Sequence, residues 1–205
     1  MTQPTTPAAP ADAATERKGL AWLVPLAGLV ALVGYFGPWI DHPVAGLTVT
    51  GLDLAEYVKF LPAVRAGELV VWREGFYLPL VAVSLTWSLS AFRSELGYGW
   101  LLRSLLLAGA GIAALNLLPP AWTPALLGTP EFRGQTAVML FCLGVVLISP
   151  FAALLPRRVT GGVILALAAW SLWTPARGFL HVLPDISLVY NATQRPGWGM
   201  FVMLA

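Results

Sequence analysis

The stretch TAVMLFCLGVVLISPFAALL, residues 136–155, decides the fold class of this chain. It contains no Asp, Glu, Lys or Arg, and its length matches the roughly 20 apolar residues that a helix needs to cross the hydrocarbon core of a bilayer. A helix is suited to that environment because it satisfies its backbone hydrogen bonds within itself. The stretch therefore predicts a transmembrane helix.

The composition of the whole chain supports the same interpretation. Of its 205 residues, 58% are hydrophobic and only 11% are charged, and the mean hydropathy is +0.75. Soluble domains carry about 25% charged residues, so a soluble globular fold is excluded. The formal net charge of +2 is too small, and its carriers too scattered, for a nucleic-acid-binding face. We therefore expect a polytopic membrane protein that has the lipid bilayer, and no nucleic acid, as a partner.

Apolar runs on both sides of residues 136–155 predict further spans. The five predicted transmembrane helices cover about residues 20–40, 76–92, 100–118, 136–155 and 160–180. The run at 20–40 is longer than the apolar core of a signal peptide and has no small-x-small cleavage site, so we interpret it as an uncleaved first span. The last run is short, and we expect its helix to continue through a kink at Pro175.

The rest of the chain is assigned around these spans. Residues 1–18 are rich in Pro, Ala and Thr and predict a disordered cytoplasmic N-terminal tail. Residues 19–205 then form a single transmembrane helical domain. After the fifth span, the last eight residues, 198–205, are typical of the opening turns of a sixth span, and we expect a chain truncated relative to six-span relatives. Shallow insertion, or docking on another subunit, is the alternative for this segment.

The distribution of charge predicts the orientation, because basic residues in short loops are retained in the cytoplasm. With the N-terminus inside, the inner side carries six basic and three acidic residues, net +3, and the outer side six basic and seven acidic, net −1. We therefore expect a multi-pass protein of a bacterial inner cell membrane, with its N-terminus cytoplasmic and, with five spans, its C-terminus outside. Seven of the nine Trp residues, including Trp39 and Trp72, fall at predicted interfaces.

A non-spanning segment on the outer side carries a helix signal. Thr50 followed by Asp53 resembles a capping box, and Leu54, Val58 and Leu61 share one helix face. The pattern predicts an outer amphipathic helix over about residues 51–67, lying at the outer interface or against the tops of the spans. Within the spans, small residues four apart favour close contact with one another or with a partner: Ala27/Ala31, Gly109/Ala113, Ala110/Ala114 and Gly162/Ala166.

Chemistry-bearing residues are few. No ionisable residue lies near the middle of a predicted span, which argues against charge-driven transport. The hydroxyls of the second span are expected to bond back to their own helix. We assign no catalytic residue, no metal ligand and no cofactor; the only candidates, all on the outer face, are His42, His181, Asp41 and Asp185.

The sequence leaves three functions open. The first is a structural or accessory subunit, or an assembly helper, of a larger membrane complex with partner subunits in the membrane. The second is a transporter or channel for an uncharged or lipidic solute, which needs no charge inside the membrane. The third is an outward-facing enzyme using the two histidines and nearby acids. The sequence favours the first, and favours no catalysis by the chain itself.

Overall fold

The computed structural model describes residues 21–42, 44–119 and 122–205, and the predicted tail at residues 1–18 lies outside them. Most of the described part is helical, which confirms the predicted all-α class. The helices are α1 Leu23–Phe36, α2 Gly51–Tyr57, α3 Pro62–Arg65, α4 Leu78–Ser90, α5 Trp100–Leu115, α6 Pro124–Leu127, α7 Arg133–Ala152, α8 Arg157–Val189 and α9 Trp198–Leu204.

Short elements connect these helices. Strands β1 Pro38–Ile40 and β2 Val49–Thr50 form an antiparallel pair between α1 and α2. Short segments of 3-10 helix lie at Ala45–Leu47, Val58–Phe60, Arg73–Tyr77 and Ser94–Leu96.

Two of the helices, α7 and α8, are long and apolar enough to cross a membrane, judged by length and composition. Helices α1, α4 and α5 lie at the other three predicted spans and contain 14, 13 and 16 residues. At 1.5 Å per residue they measure about 20–24 Å, less than the roughly 30 Å of a bilayer core. The structure thus supports a membrane protein through two helices, α7 and α8, and the five-span topology stays a prediction.

Helix α8 extends further than the sequence predicts. It contains 33 residues, about 50 Å, and continues through both Pro175 and Pro184 to Val189 rather than ending near residue 180. Its last turns bury Phe179, Val182 and Ile186, which repeat at intervals of three and four and so share one face. The helix continues past its apolar run because these side chains enter the main core at the predicted outer end.

The predicted outer helix is divided into three segments. Thr50 and Asp53 form the expected capping box, with the Asp53 N–H donating to Thr50 Oγ1 at 3.3 Å and the Thr50 N–H to Asp53 Oδ2 at 3.1 Å. Helix α2 passes into 3-10 helix at Val58, and Pro62 begins α3 because proline lacks the N–H that would continue the earlier helix. Gly67, at φ +76°, lies just after this last helix.

The apolar face of this divided helix is covered. Leu54, Val58 and Leu61 are buried in one core cluster with Phe179, Ile186 and other side chains. Of the two placements that the sequence leaves open, the segment therefore lies against the tops of the long helices.

The sequence places Trp39 in an interfacial aromatic belt, and the structure buries its side chain inside the protein. Its side chain is 0% exposed, and its indole N–H donates to the Gly34 carbonyl at 3.2 Å. The ring also meets Phe179 edge to face, with centroids 5.4 Å apart. The chain turns back at β1 and directs this indole into the core, where its polar nitrogen still finds an acceptor.

Helix α9 packs against the C-terminal half of α1 at a crossing of two glycines, Gly34 and Gly199. The Gly197 N–H donates to the Trp39 carbonyl at 2.7 Å, and Pro196 bridges to Ile40. The helical start predicted for residues 198–205 is therefore present and lies on α1.

Candidate functional site

The four outer-face candidates do not form a common site. His42 Nδ1 accepts a hydrogen bond from the Val44 N–H at 3.1 Å, and its ring lies edge-on to Tyr190 with centroids 5.5 Å apart. His181 is exposed on α8, Asp185 is half-buried one turn later, and Asp41 is exposed. Among residues 21–42, 44–119 and 122–205, no hydrogen bond or ion pair joins any two of the four side chains, and no group of three His, Cys, Asp or Glu could hold a metal.

Two hydroxyls of α4, those of Ser88 and Ser90, bond back to their own helix, as expected, whereas the buried Ser84 Oγ does not. Ser88 Oγ donates to the Ser84 carbonyl at 2.7 Å, and Ser90 Oγ donates to the Thr86 carbonyl at 2.6 Å. A hydroxyl engaged in this way does not line a polar path through the helices. The buried Cys142 packs with Leu85 and Ala114, as an apolar residue would.

A group of charged residues joins three segments at the predicted outer end, and we call Glu56, Lys59, Arg73 and Glu131 the outer cluster. Lys59 Nζ lies 2.6 Å from Glu56 and 2.9 Å from Glu131. Arg73 lies 3.2 Å from the Glu131 carboxylate and also donates to the Glu131 carbonyl at 2.8 Å. Both cations lie over the ring of Phe132, at 5.6 and 5.5 Å from its centroid.

The electrostatics of the outer cluster favour its charged state. The hydrogen bond from Lys59, together with the nearby Arg73, lowers the pKa of Glu131. Partial desolvation opposes the charge on Lys59, but the hydrogen bonds to Glu56 and Glu131 outweigh it and raise the Lys59 pKa. The sequence indicates for Glu131 only solvation at a helix start. Its contacts lie up to 72 positions away, and no local pattern indicates them.

Arg93 makes the corresponding contacts at the predicted inner end. Its side chain is nearly buried, and it donates to the Leu155 carbonyl at 2.7 Å, to Thr160 Oγ1 at 3.1 Å and to Glu95 at 3.0 Å. It therefore ties the α4–α5 turn to the α7–α8 turn. The sequence identifies Arg93 as an inner-loop charge but not as a buried one.

A cleft runs along the side of the bundle between α1, α4 and α8, and we call it the lateral cleft. Its apolar part has a volume of about 540 Å³ and lies between α1, α4, α8 and the end of α9. Its mouth, of about 590 Å³, lies at the predicted inner end. Val24 and Ile164 line both parts, so the two volumes adjoin.

The two parts of the lateral cleft differ in chemistry. The apolar part is lined largely by small and branched apolar side chains, among them Ala27, Ala31, Val83 and Ala168. The mouth is lined by Arg93, Arg157, Glu95, Ser90 and Thr160. Two cations and one anion give this mouth a formal charge of +1.

The mouth also contains the beginning of α8. No side chain caps that helix at Pro156, and the first turn leaves backbone N–H groups pointing toward the helix start. Arg157 is exposed and forms no ion pair within 4.0 Å among the described residues. An uncapped helix start beside an arginine is an arrangement that favours an anion.

Comparison of the chain with protein-family models, with curated proteins and with solved structures finds no match.

Proposed function

We propose that this chain is an integral protein of a bacterial inner membrane, with five spans and a cytoplasmic N-terminus, and that it serves as a structural or accessory subunit of a larger membrane assembly. The observation that carries the proposal is the exposure of its most apolar helices. In the most apolar windows of α7 and α8, only 28% and 22% of the residues are buried. Such faces need lipid or another protein to cover them.

The polar groups of the described residues also favour a non-catalytic role. The outer-face histidines are separate, the Ser88 and Ser90 hydroxyls of α4 are bonded to their own backbone, and the outer cluster is internally paired. Catalysis needs converging acid, base or nucleophile groups in a pocket. Charge-driven transport needs ionisable groups within the spans. Packing against other components needs neither.

One face of α8 supports contact with a partner subunit. Gly162, Ala166 and Ala169 are exposed and are spaced by four and three residues, so they share that face. A Cβ added at Gly162 would meet no atom within 4 Å. The small-residue pair predicted at residues 162 and 166 is therefore not used inside the bundle. In lipid, small residues let a neighbouring helix approach closely.

Membrane integration and topology are tested by cysteine labelling. In a Cys142→Ala background, Ser94→Cys and Thr193→Cys place single thiols at exposed positions in the α4–α5 turn and after α8. An impermeant maleimide applied to intact cells should label the second position, and label the first only after permeabilisation. The membrane fraction should also retain the chain in alkaline carbonate. Reversed labelling would contradict the orientation, and release by carbonate would contradict membrane integration.

The accessory role is tested by extracting the tagged full chain from native membranes directly into lipid nanodiscs. Native mass spectrometry should then find a species heavier than the tagged chain by one constant partner mass. Ala166→Phe should remove that mass, whereas Ala168→Phe, an equal enlargement two residues away on the cleft side, should retain it. A chain that is always recovered alone would overturn the accessory proposal, and loss of the partner in both variants would overturn the assignment to this face.

The lateral cleft favours a second candidate, the handling of a lipidic solute. Its apolar part opens beside the helices and carries no ionisable side chain, which suits an uncharged chain rather than an ion. This candidate requires that the solute moves across the membrane, whereas simple binding does not. Flux of a fluorescent lipid between the leaflets of reconstituted vesicles measures that movement directly, with protein-free vesicles as the control.

A further inference from the structure

We propose that the lateral cleft binds one anionic glycerophospholipid, with the phosphate at the mouth and an acyl chain in the apolar part. The inference rests on the proposed membrane location and adds a ligand to it. It joins two observations, neither of which is sufficient alone: an apolar groove between α1, α4 and α8, and a polar opening of positive charge at one end of the same groove.

Charge complementarity selects an anionic headgroup. Arg93 and Arg157 carry two positive charges at the mouth, and Glu95 neutralises one of them through its 3.0 Å ion pair with Arg93. The remaining charge of +1 matches one phosphodiester. A zwitterionic headgroup brings its own cation to the same place, so it gains less from this opening.

The donors at the mouth are arranged for a phosphate. Arg157 is exposed and can move toward a ligand, whereas Arg93 is held by Leu155, Thr160 and Glu95. The uncapped first turn of α8 adds backbone N–H groups and the positive end of the helix dipole. We therefore assign Arg157 as the direct phosphate contact and Arg93 as the residue that positions the two turns around it.

The apolar part is suited to an acyl chain. Its volume of about 540 Å³ lies within the roughly 300–1,000 Å³ typical of ligand sites. It adjoins the mouth through Val24 and Ile164, so a chain attached to a headgroup at Arg157 can enter it without crossing a polar region. Its lining includes the exposed apolar side chains Leu23, Leu26 and Val30, which gives a lipid a lateral route from the proposed bilayer.

The test measures lipid binding to the isolated chain by native mass spectrometry from detergent micelles. The probes are phosphatidylglycerol, which is anionic, and phosphatidylcholine, which is zwitterionic, each titrated at equal acyl composition. We expect one tightly bound phosphatidylglycerol. Arg157→Gln should weaken its binding about fivefold or more, the factor expected for one basic residue beside an anionic lipid.

Arg158→Gln is the matched control, because Arg158 is also exposed and adjacent but does not line the cleft. It should weaken binding less than Arg157→Gln does, because only Arg157 lines the mouth. Ala168→Phe should reduce the binding of both lipids by filling the apolar part, and Ala166→Phe should leave both unchanged. Folding of each variant is checked by the thermal exposure of the buried Cys142 thiol.

Two results would overturn the inference. Equal weakening by Arg157→Gln and Arg158→Gln would mean general surface charge rather than a site. Undiminished binding to a folded Ala168→Phe variant would mean that the acyl chain lies elsewhere. Because these measurements use the chain without partners, their failure leaves the accessory proposal intact, and loss of the partner mass in nanodiscs leaves the lipid site intact.

Discussion

Gly34→Ala, at the α1–α9 crossing, should destabilise the protein, whereas the same substitution at Gly144 in α7 should not. A Cβ built on Gly34 would lie 2.6 Å from Met203 Cα and 2.7 Å from the Gly199 carbonyl oxygen, and the Met203 nitrogen is nearer still. These are backbone atoms, so no side chain can rotate away. Ordinary contact begins at 3.4 Å, which requires the two helices to separate by at least 0.8 Å.

The expected cost follows from that displacement. Overpacking of a well-packed contact costs about 1–3 kcal/mol. This cost is partly offset by the general gain of about 1 kcal/mol for Ala over Gly in a helix. The net loss is therefore up to about 2 kcal/mol, which for a chain of this size corresponds to a fall of up to roughly 8 °C in Tm. The Trp39–Gly34 hydrogen bond, at 3.2 Å, lies in the same crossing and would be strained by the shift.

The chain supplies its own reporter for this measurement. Cys142 is its single cysteine and is buried, so a fluorogenic maleimide reacts with it only when the fold opens. Gly144→Ala is the matched control, because an added Cβ there meets nothing within 4 Å and Tm should stay equal or rise.

A second variant approaches the same crossing from α9. Gly199→Ala would place a Cβ 2.6 Å from the carbonyl carbon and oxygen of Gly37, so it should lower Tm as Gly34→Ala does. The double variant should lose less than the sum, since the first substitution already separates the helices. If both single variants opened at the wild-type temperature, the backbone contact would not be a constraint and the reasoning would be refuted.

Three further outcomes are expected from the same thiol assay. Arg93→Ala should lower stability by about 2–3 kcal/mol, because the Leu155 carbonyl and Thr160 lose a charged donor at a nearly buried position. An unchanged Tm would contradict the role of Arg93 in joining these two segments. Thr50→Ala should cost about 1 kcal/mol through the lost helix cap, and no loss would contradict it. The pKa of Glu131 is lowered, so its contribution to folding stability is present above its ordinary pKa. That contribution is lost as pH falls through the lowered value. Glu131→Gln should therefore remove part of the acid sensitivity, and equal acid profiles would contradict this.

The helices could be predicted from the sequence because each apolar run reports a local property. The runs at residues 100–118 and 136–155 correspond to α5 and α7 within a few residues, and the capping box at Thr50 and Asp53 forms as expected. These features depend on neighbours within one or two turns. Their physical causes are therefore contained in the local sequence.

The remaining features depend on distant partners. Helix α8 passes residue 180 because Phe179 and Ile186 enter a core built from other segments. Glu131 pairs with Lys59 across 72 positions, and the buried Arg93 donates to Thr160 at the beginning of α8. An amphipathic pattern indicates only which face of a helix is buried, and a loop charge indicates only on which side of the membrane the loop is expected. Neither pattern indicates which distant group packs against that face or pairs with that charge.

The two ends of the bundle differ in a way that bears on the direction of lipid entry. At the predicted outer end, the ion pairs of Lys59 and Arg73 with Glu131 cross-link three segments over the main core. At the predicted inner end, Arg93 joins two turns, but the adjoining mouth stays open beside Arg157. With the proposed orientation, a lipid therefore enters from the cytoplasmic leaflet, where anionic lipids act on nearby basic residues. Inverted cysteine labelling would assign the same mouth to the opposite leaflet, so topology and lipid source must be measured on the same preparation.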